Sequence, residues 1–81
     1  MDPNAPRSVA NAQRLRQARL PPTERRLLIL DVIASLPHDQ VNAVSVLRET
    51  YARGIYIPLP SVYRLLREMK QRGVVKAEDA A

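Results

Sequence analysis

Between Pro60 and Gly73 the chain concentrates side chains that can hydrogen-bond a polyanion. Hydroxyl, guanidinium and amide groups recur there on, or at the border of, one side of a helix: Ser61, Tyr63, Arg64, Arg67 and Gln71. Guanidinium groups bind phosphates and the acceptor edge of guanine, while hydroxyls and amides bond phosphate oxygens or base edges. This pattern predicts a surface that binds nucleic acid.

The chain lacks the residue sets that catalysis or metal binding requires. His38 is the single histidine, there is no cysteine, and the two glycines, Gly54 and Gly73, form no phosphate-binding loop. One histidine without thiolates cannot complete a structural zinc site, and it offers only one base to a catalytic triad. Glu24 and Asp31 are interpreted as solvated carboxylates or as partners of the arginines that follow Glu24. We predict that the chain is not an enzyme and holds no metal or cofactor.

A helix over residues 60–72 is needed to present the polar side chains on one surface. Pro60 suits the first turn, where its missing N–H costs nothing, and Gly73 suits the left-handed position after the last turn. Apolar side chains at i, i+3, i+4 and i+7 form the opposite face: Val62, Leu65, Leu66 and Met69. That spacing is typical of a stripe packed on a core, so the polar and basic face is expected to remain exposed.

Caps and breakers predict three preceding helices, at 8–19, 24–36 and 43–53. A short side-chain oxygen that can accept the free N–H groups of the first turn precedes each helix or begins it, at Ser8, Thr23 and Asn42. Pro37 and Gly54 are expected to end the second and third helices. The segments 55–57 and 74–76 are predicted to be short and extended, and to lie side by side as strands.

The expected inward faces of these helices follow from the same helical spacing. In the first helix they comprise Val9, Ala12, Leu15 and Ala18, and in the second Leu27, Leu30, Ile33 and Ala34. In the third they comprise Val44, Leu47 and Tyr51. The predicted fold class is all-α or mainly α, with 43–53 and 60–72 as a helix-turn-helix pair. We expect one domain over residues 8–76, with tails at 1–7 and 77–81.

The charge of the chain also favours a polyanionic partner. Thirteen Lys and Arg residues against eight Asp and Glu give a net charge of +5. Such a balance attracts DNA, RNA or an acidic membrane surface. Six of the arginines lie between residues 7 and 26, and from this group Arg19 and Arg26 are predicted to contact phosphates. No apolar run approaches a membrane span of roughly 20 residues, and no secretory signal precedes the first helix, so a cytoplasmic location is expected.

Two sequence blocks resemble the N-terminal DNA-binding domain of the ferric uptake regulator (Fur) family of bacterial metal- and peroxide-responsive repressors. Residues 23–33, TERRLLILDVI, are similar to the family's Thr-x-x-Arg-x-x-Ile-Leu-x-x-Leu helix. Residues 60–66, PSVYRLL, resemble its Ala-Thr-Val-Tyr-Arg-x-Leu recognition helix, and Gly73-Val74-Val75 resembles its Gly-Leu-Val exit. The resemblance covers about residues 20–75.

This resemblance implies a winged helix-turn-helix whose helix 60–72 enters the major groove of double-stranded DNA. The family's Tyr and Arg contacts fall on Tyr63, which would meet a thymine methyl group, and on Arg64, which would bond a phosphate or guanine. Ser61 stands where the family has Thr and keeps a hydroxyl for phosphate. The implied function is a DNA-binding module for transcription regulation.

The chain also departs from the family pattern at places that matter for regulation. The family's wing hairpin is reduced or absent, and its dimerisation domain, rich in metal ligands, does not follow. Gln40 stands where the family has a metal-binding His, and Pro21 and Pro22 replace a basic residue. We therefore expect no metal sensing by this chain, and dimerisation only through a missing domain. The chain is then either an excised domain of a longer regulator or a short relative.

Two alternatives remain open from the sequence. The chain could be a protein-interaction module that keeps a Fur-like fold without metal sensing, using Tyr56 and the helix at 8–19 as its surface. The same basic faces could also bind structured RNA.

Overall fold

The structure is a computed structural model that describes the backbone of residues 5–76 and the side chains of residues 9–76. Four α-helices lie in this part of the chain: α1 (Ala5–Gln17), α2 (Glu24–Ser35), α3 (Ala43–Ala52) and α4 (Leu59–Gln71). A 3₁₀ turn at His38–Gln40 joins α2 to α3. The described residues contain no β-strand, which confirms the all-α fold class.

The helices stack in sequence order around one core. α2 packs against both α1 and α3, and α3 packs against α4. Helix α3, the connection at 53–58 and α4 form the predicted helix-turn-helix pair. Within residues 5–76, no helix is both long enough and apolar enough to cross a membrane.

The starts of α2 and α3 follow the predicted caps. The Thr23 hydroxyl accepts the backbone N–H of Arg26 at 3.3 Å, and the Asn42 side-chain oxygen accepts that of Ser45 at 2.9 Å. Each bond satisfies one of the N–H groups that the first helical turn leaves free. Both predicted caps are therefore confirmed.

Three helices end in the same hydrogen-bond pattern. After α3 and α4 the chain turns through Gly54 and Gly73, whose φ angles are 82° and 75°. After α1 the same left-handed position is held by Arg19, with φ of 62°. In each case the next residue bonds back five positions, as Leu20 N–H does to the Leu15 carbonyl at 2.8 Å. This is the Schellman arrangement, in which glycine is the usual left-handed residue.

The start of α1 differs from the prediction. The helix begins at Ala5, so Ser8 lies inside it rather than at its N-cap. Residues 5–7, expected in a tail, are helical, because Pro6 fits the first turn, where no N–H is needed. Residues 1–4 of the tail predicted at 1–7, and the tail predicted at 77–81, lie outside the described residues.

The core is built from aliphatic side chains of all four helices and the connection before α4. The largest fully buried apolar side chains are Leu15, Ile29, Val32, Val46, Ile57, Val62 and Met69. The predicted stripe of α4 is buried at three of its four positions, and Leu65 is half-buried. In α2, Ala34 was expected inside but is exposed, since Ile29 and Val32 take the deepest positions. Val9 of α1, likewise expected inside, is exposed.

The inward face of α3 was predicted correctly only at Leu47, which is half-buried and packs against the core. Val44 and Tyr51 are 41% and 70% exposed, whereas Ala43, Val46 and Thr50 are buried. Burial of Thr50 is tolerated because its hydroxyl donates to the Leu47 carbonyl at 2.8 Å. The helix is thus rotated by about one position from the apolar stripe that the sequence suggested.

The two segments predicted to be extended do not pair as strands. The backbone N–H groups of Val74 and Val75 both donate to the Met69 carbonyl, at 2.9 and 3.3 Å, and thus complete the end of α4. The Val74 carbonyl accepts a hydrogen bond from the Arg14 guanidinium. These bonds use the groups that a ladder with residues 55–57 would need.

Arg53 fastens α3 to α2. Its guanidinium contacts the carboxylates of Asp31 at 2.7 Å and Glu49 at 3.2 Å, and donates to the Ser35 hydroxyl at 3.2 Å. The pKa of Arg53 is raised chiefly by the hydrogen bond with Asp31; burial lowers it, and the hydrogen bond with Glu49 raises it further. Asp31 was expected to be solvated or to pair with one of the arginines that follow Glu24. It instead forms an ion pair with Arg53 that connects α2 to α3.

Candidate nucleic-acid interface

The outer face of α4, defined here as Tyr63, Arg64, Arg67, Lys70 and Gln71, is exposed along its whole length. Tyr63 is 53% exposed despite its large ring, because Val62, Leu66 and Met69 take the core side of the helix. Ser61 lies in the first turn and is half-buried. Of the five residues that the sequence placed on this helix, Tyr63, Arg64, Arg67 and Gln71 are therefore exposed on the outer face, and Ser61 is not part of it.

The cations of this outer face have no counter-ion within the described part of the chain. The ion pairs within the described residues are formed by Arg26 and Arg53. Arg64, Arg67 and Lys70 take part in none of them. Their donors therefore remain available to a ligand. An uncompensated row of cations on a helix face suits a polyanion better than a neutral ligand.

A groove runs between the start of α3 and the outer face of α4. Tyr63, Arg67 and Lys70 line one side, and Asn42, Ala43 and Val44 line the other. Lys70 was not among the predicted site residues, although its spacing of three from Arg67 puts both on one side of a helix. The groove gives the α4 cations a second wall that no local sequence pattern reveals.

Two shallow hollows flank α4 at its N-terminal half. Arg64 borders both hollows. The first is also lined by Pro60, Tyr63 and Arg67. The second is also lined by Thr23 and Arg25 at the start of α2. Arg25 is exposed and extends the basic surface beyond α4. Sequence reasoning missed Arg25 because its position beside Arg64 depends on how α2 packs, not on its neighbours in the chain.

Arg26, predicted to contact phosphate, instead holds α2 and α4 together. Its Nε and Nη2 atoms donate to one Glu68 oxygen at 3.1 and 2.7 Å, and Nη1 donates to the Pro21 carbonyl at 2.9 Å. The Arg26 side chain is only 16% exposed. Arg26 compensates the charge of Glu68, the one acidic residue of α4, so the remaining charged side chains on that helix are positive.

Arg19 lies apart from the middle of the outer face. It is exposed in the turn after α1. The neighbouring Ala18 carbonyl accepts a hydrogen bond from Arg72 at 3.4 Å, so this turn lies beside the end of α4. Arg19 thus extends the basic surface at the C-terminal end of α4.

The described residues do not fit a regulatory metal ion. No group of three His, Cys, Asp or Glu side chains within residues 9–76 is close enough together to hold one. His38 and Gln40 lie on the 3₁₀ turn between α2 and α3, and the amide of Gln40 is a poor substitute for an imidazole ligand.

The chain matches the sequence model of a known protein family. The sequence model of the ferric uptake regulator family matches residues 17–81, which include α2, α3 and α4. Neither the curated proteins nor the solved structures contain a significant match to this chain. The family match spans well over half of the sequence, and the chain therefore belongs to the ferric uptake regulator family.

Proposed function

We propose that this chain is a DNA-binding module for transcription regulation, and that α4 enters the major groove of duplex DNA. The observation that carries the proposal is the outer face of α4, whose arginines and lysine have no counter-ion among the described residues. Membership of a family of regulators supports the same function. A helix of about 10–12 Å diameter fits a major groove about 12 Å wide.

Each side chain of the outer face has a distinct role in this proposal. The Tyr63 ring contacts a thymine methyl group, and Arg64 donates to guanine or to a phosphate. Arg67 and Lys70 bind phosphates along the groove between α3 and α4, where both line the wall. Gln71 and Ser61 add hydrogen bonds at the two ends of the helix. Base contacts by Tyr63 and Arg64 would supply specificity, and the other cations affinity.

The module acts without chemistry of its own. The regulators of the family are not enzymes. We propose that this chain acts in the bacterial cytoplasm, where DNA is accessible. For a single module with few phosphate contacts, we expect dissociation constants in roughly the 10⁻⁴–10⁻⁶ M range.

The test is the affinity of the Tyr63→Ala, Arg64→Ala double variant for a fluorescent duplex of mixed sequence, measured by anisotropy over a series of salt concentrations. Loss of one good base contact costs about 1–3 kcal/mol, so affinity should fall at least about fivefold. If Arg64 binds a phosphate instead of guanine, its loss should reduce the salt slope by about 0.9. The circular dichroism of the variant should be unchanged, because both side chains are exposed.

A matched control removes the same side-chain types elsewhere. The Arg48→Ala, Tyr56→Ala variant loses one exposed arginine and one exposed tyrosine that line none of the hollows around α4. Its affinity should stay within about twofold of the parent. Equal losses in the two double variants would mean that bulk charge, rather than the outer face of α4, determines binding.

A second candidate function is protein interaction. Tyr51 and Tyr56 are 70% and 67% exposed, and Ile55 between them is 43% exposed, so the end of α3 presents apolar surface to solvent. Aromatic side chains of this kind are enriched in protein interfaces. A stoichiometric protein partner that is lost in a Tyr51→Ser, Tyr56→Ser variant, together with the absence of salt-sensitive DNA binding, would favour this function. Competition by structured RNA in the same anisotropy assay tests the RNA alternative.

A further inference from the structure

The side-chain amide of Asn11 indicates a binding site that is separate from the outer face of α4. Asn11 is only 7% exposed, and no hydrogen bond joins its side chain to the described residues. Every fully enclosed side-chain nitrogen or oxygen in the described part of the chain has a partner. The Asn11 amide must therefore face open space, and it lines a cavity between α1, α2 and the residues after α4.

This cavity combines apolar walls with a basic rim. Its volume is about 240 Å³, below the usual range of roughly 300–1,000 Å³ for drug-sized ligands. The apolar part of the lining consists of Leu30, Ile33, Ala34, Leu36, Val41, Val74 and Val75, and His38 also lines the cavity. Arg14 and Lys76 stand at the same cavity and are both exposed. One Arg14 nitrogen donates to the Val74 carbonyl, which fixes the guanidinium beside the opening.

We propose that this cavity binds a small organic carboxylate. The carboxylate group accepts hydrogen bonds from Arg14 and Lys76 and from the Asn11 amide, while the hydrocarbon part lies against the aliphatic walls. The two cations attract a negative charge, and the amide can donate to a carboxylate oxygen. A neutral hydrocarbon would leave the Asn11 amide without a partner.

Benzoate is a suitable probe, because it joins a carboxylate to an apolar ring of suitable size. We expect a titration of the ¹⁵N-labelled chain with benzoate to shift the Asn11 side-chain amide and the backbone amides of Val74 and Val75. The shifts should saturate with a dissociation constant in roughly the millimolar range, as a ligand of this size allows. Benzyl alcohol, which lacks the charge, should bind at least tenfold more weakly at the same ionic strength.

Variants identify the groups responsible. Asn11→Leu keeps the side-chain size but removes the amide, and Lys76→Gln removes an exposed charge with little effect on folding; each should weaken benzoate binding at least threefold. Arg25→Gln removes the same charge outside the cavity and should leave binding unchanged. Shifts that do not saturate, that sodium chloride alone reproduces, or that persist unchanged in Lys76→Gln would overturn the proposal. None of the lining residues belongs to the outer face of α4, so these results are independent of DNA binding.

Discussion

Arg19 occupies a backbone position that its residue type disfavours. Its φ of 62° lies in the left-handed region, where a side chain meets the following carbonyl at a cost of about 1–2 kcal/mol. The turns after α3 and α4 use Gly54 and Gly73 for the same bonding pattern. Arg19 therefore keeps a basic side chain at this corner at the expense of stability.

Replacement of Arg19 by glycine should relieve this strain. We expect Arg19→Gly to raise the free energy of unfolding by up to about 1 kcal/mol, because the relief exceeds the roughly 0.5–1 kcal/mol that glycine loses through chain entropy. Urea unfolding followed by circular dichroism measures the change. The control Arg16→Gly lies within α1 and should lower stability by about 1 kcal/mol. If both variants were equally destabilised, the turn after α1 would not have the geometry described.

Single residues also show where sequence patterns succeed and fail. Thr23 and Asn42 could be predicted as caps because an N-cap depends only on the residue and the first helical turn after it. Tyr51 was misplaced because its ring counts as apolar in a periodicity, although its hydroxyl favours water. The burial of Thr50 could not be foreseen, since its hydroxyl is satisfied by a carbonyl within its own helix.

At the level of elements, the relation of α2 to α4 depends on the pair Arg26 and Glu68. Forty-two residues separate the two in sequence, so only the packed structure reveals their contact. The sequence suggested Arg26 for DNA because it lies in a basic stretch. Its three hydrogen bonds instead make it a positioning residue that fixes α4 against the start of α2.

A double-mutant cycle tests this coupling between helices. Arg26→Gln and Glu68→Gln should each lower the free energy of unfolding, and their combination should lower it by less than the sum. The coupling energy should be about 0.5–1 kcal/mol, near the upper end for partly exposed ion pairs, because two nitrogens donate to one carboxylate oxygen. Unfolding in urea at low and high salt supplies the values. Additive losses would show that the pair does not connect α2 to α4 in solution.

The whole molecule combines a helix-turn-helix with two distinct surfaces. The outer face of α4 could be predicted from the sequence, because the apolar stripe of Val62, Leu66 and Met69 fixes which side of the helix remains exposed. The groove with α3, the position of Arg25 and the cavity at Asn11 could not, since each is formed by side chains from separate helices. Sequence patterns thus identified the helix that is proposed to bind DNA, but not the surfaces around it.

The most direct test of the DNA-binding account is a nuclear magnetic resonance titration of the ¹⁵N-labelled chain with duplex DNA, compared with one strand of the same sequence. The account predicts that duplex DNA shifts the amides of residues 61–71 and the guanidinium Nε–H signals of Arg64 and Arg67, with weaker effects near Arg19. Shifts centred on Tyr51 and Tyr56, or no difference between duplex and single strand, would contradict the assignment of α4 as the helix that reads the major groove.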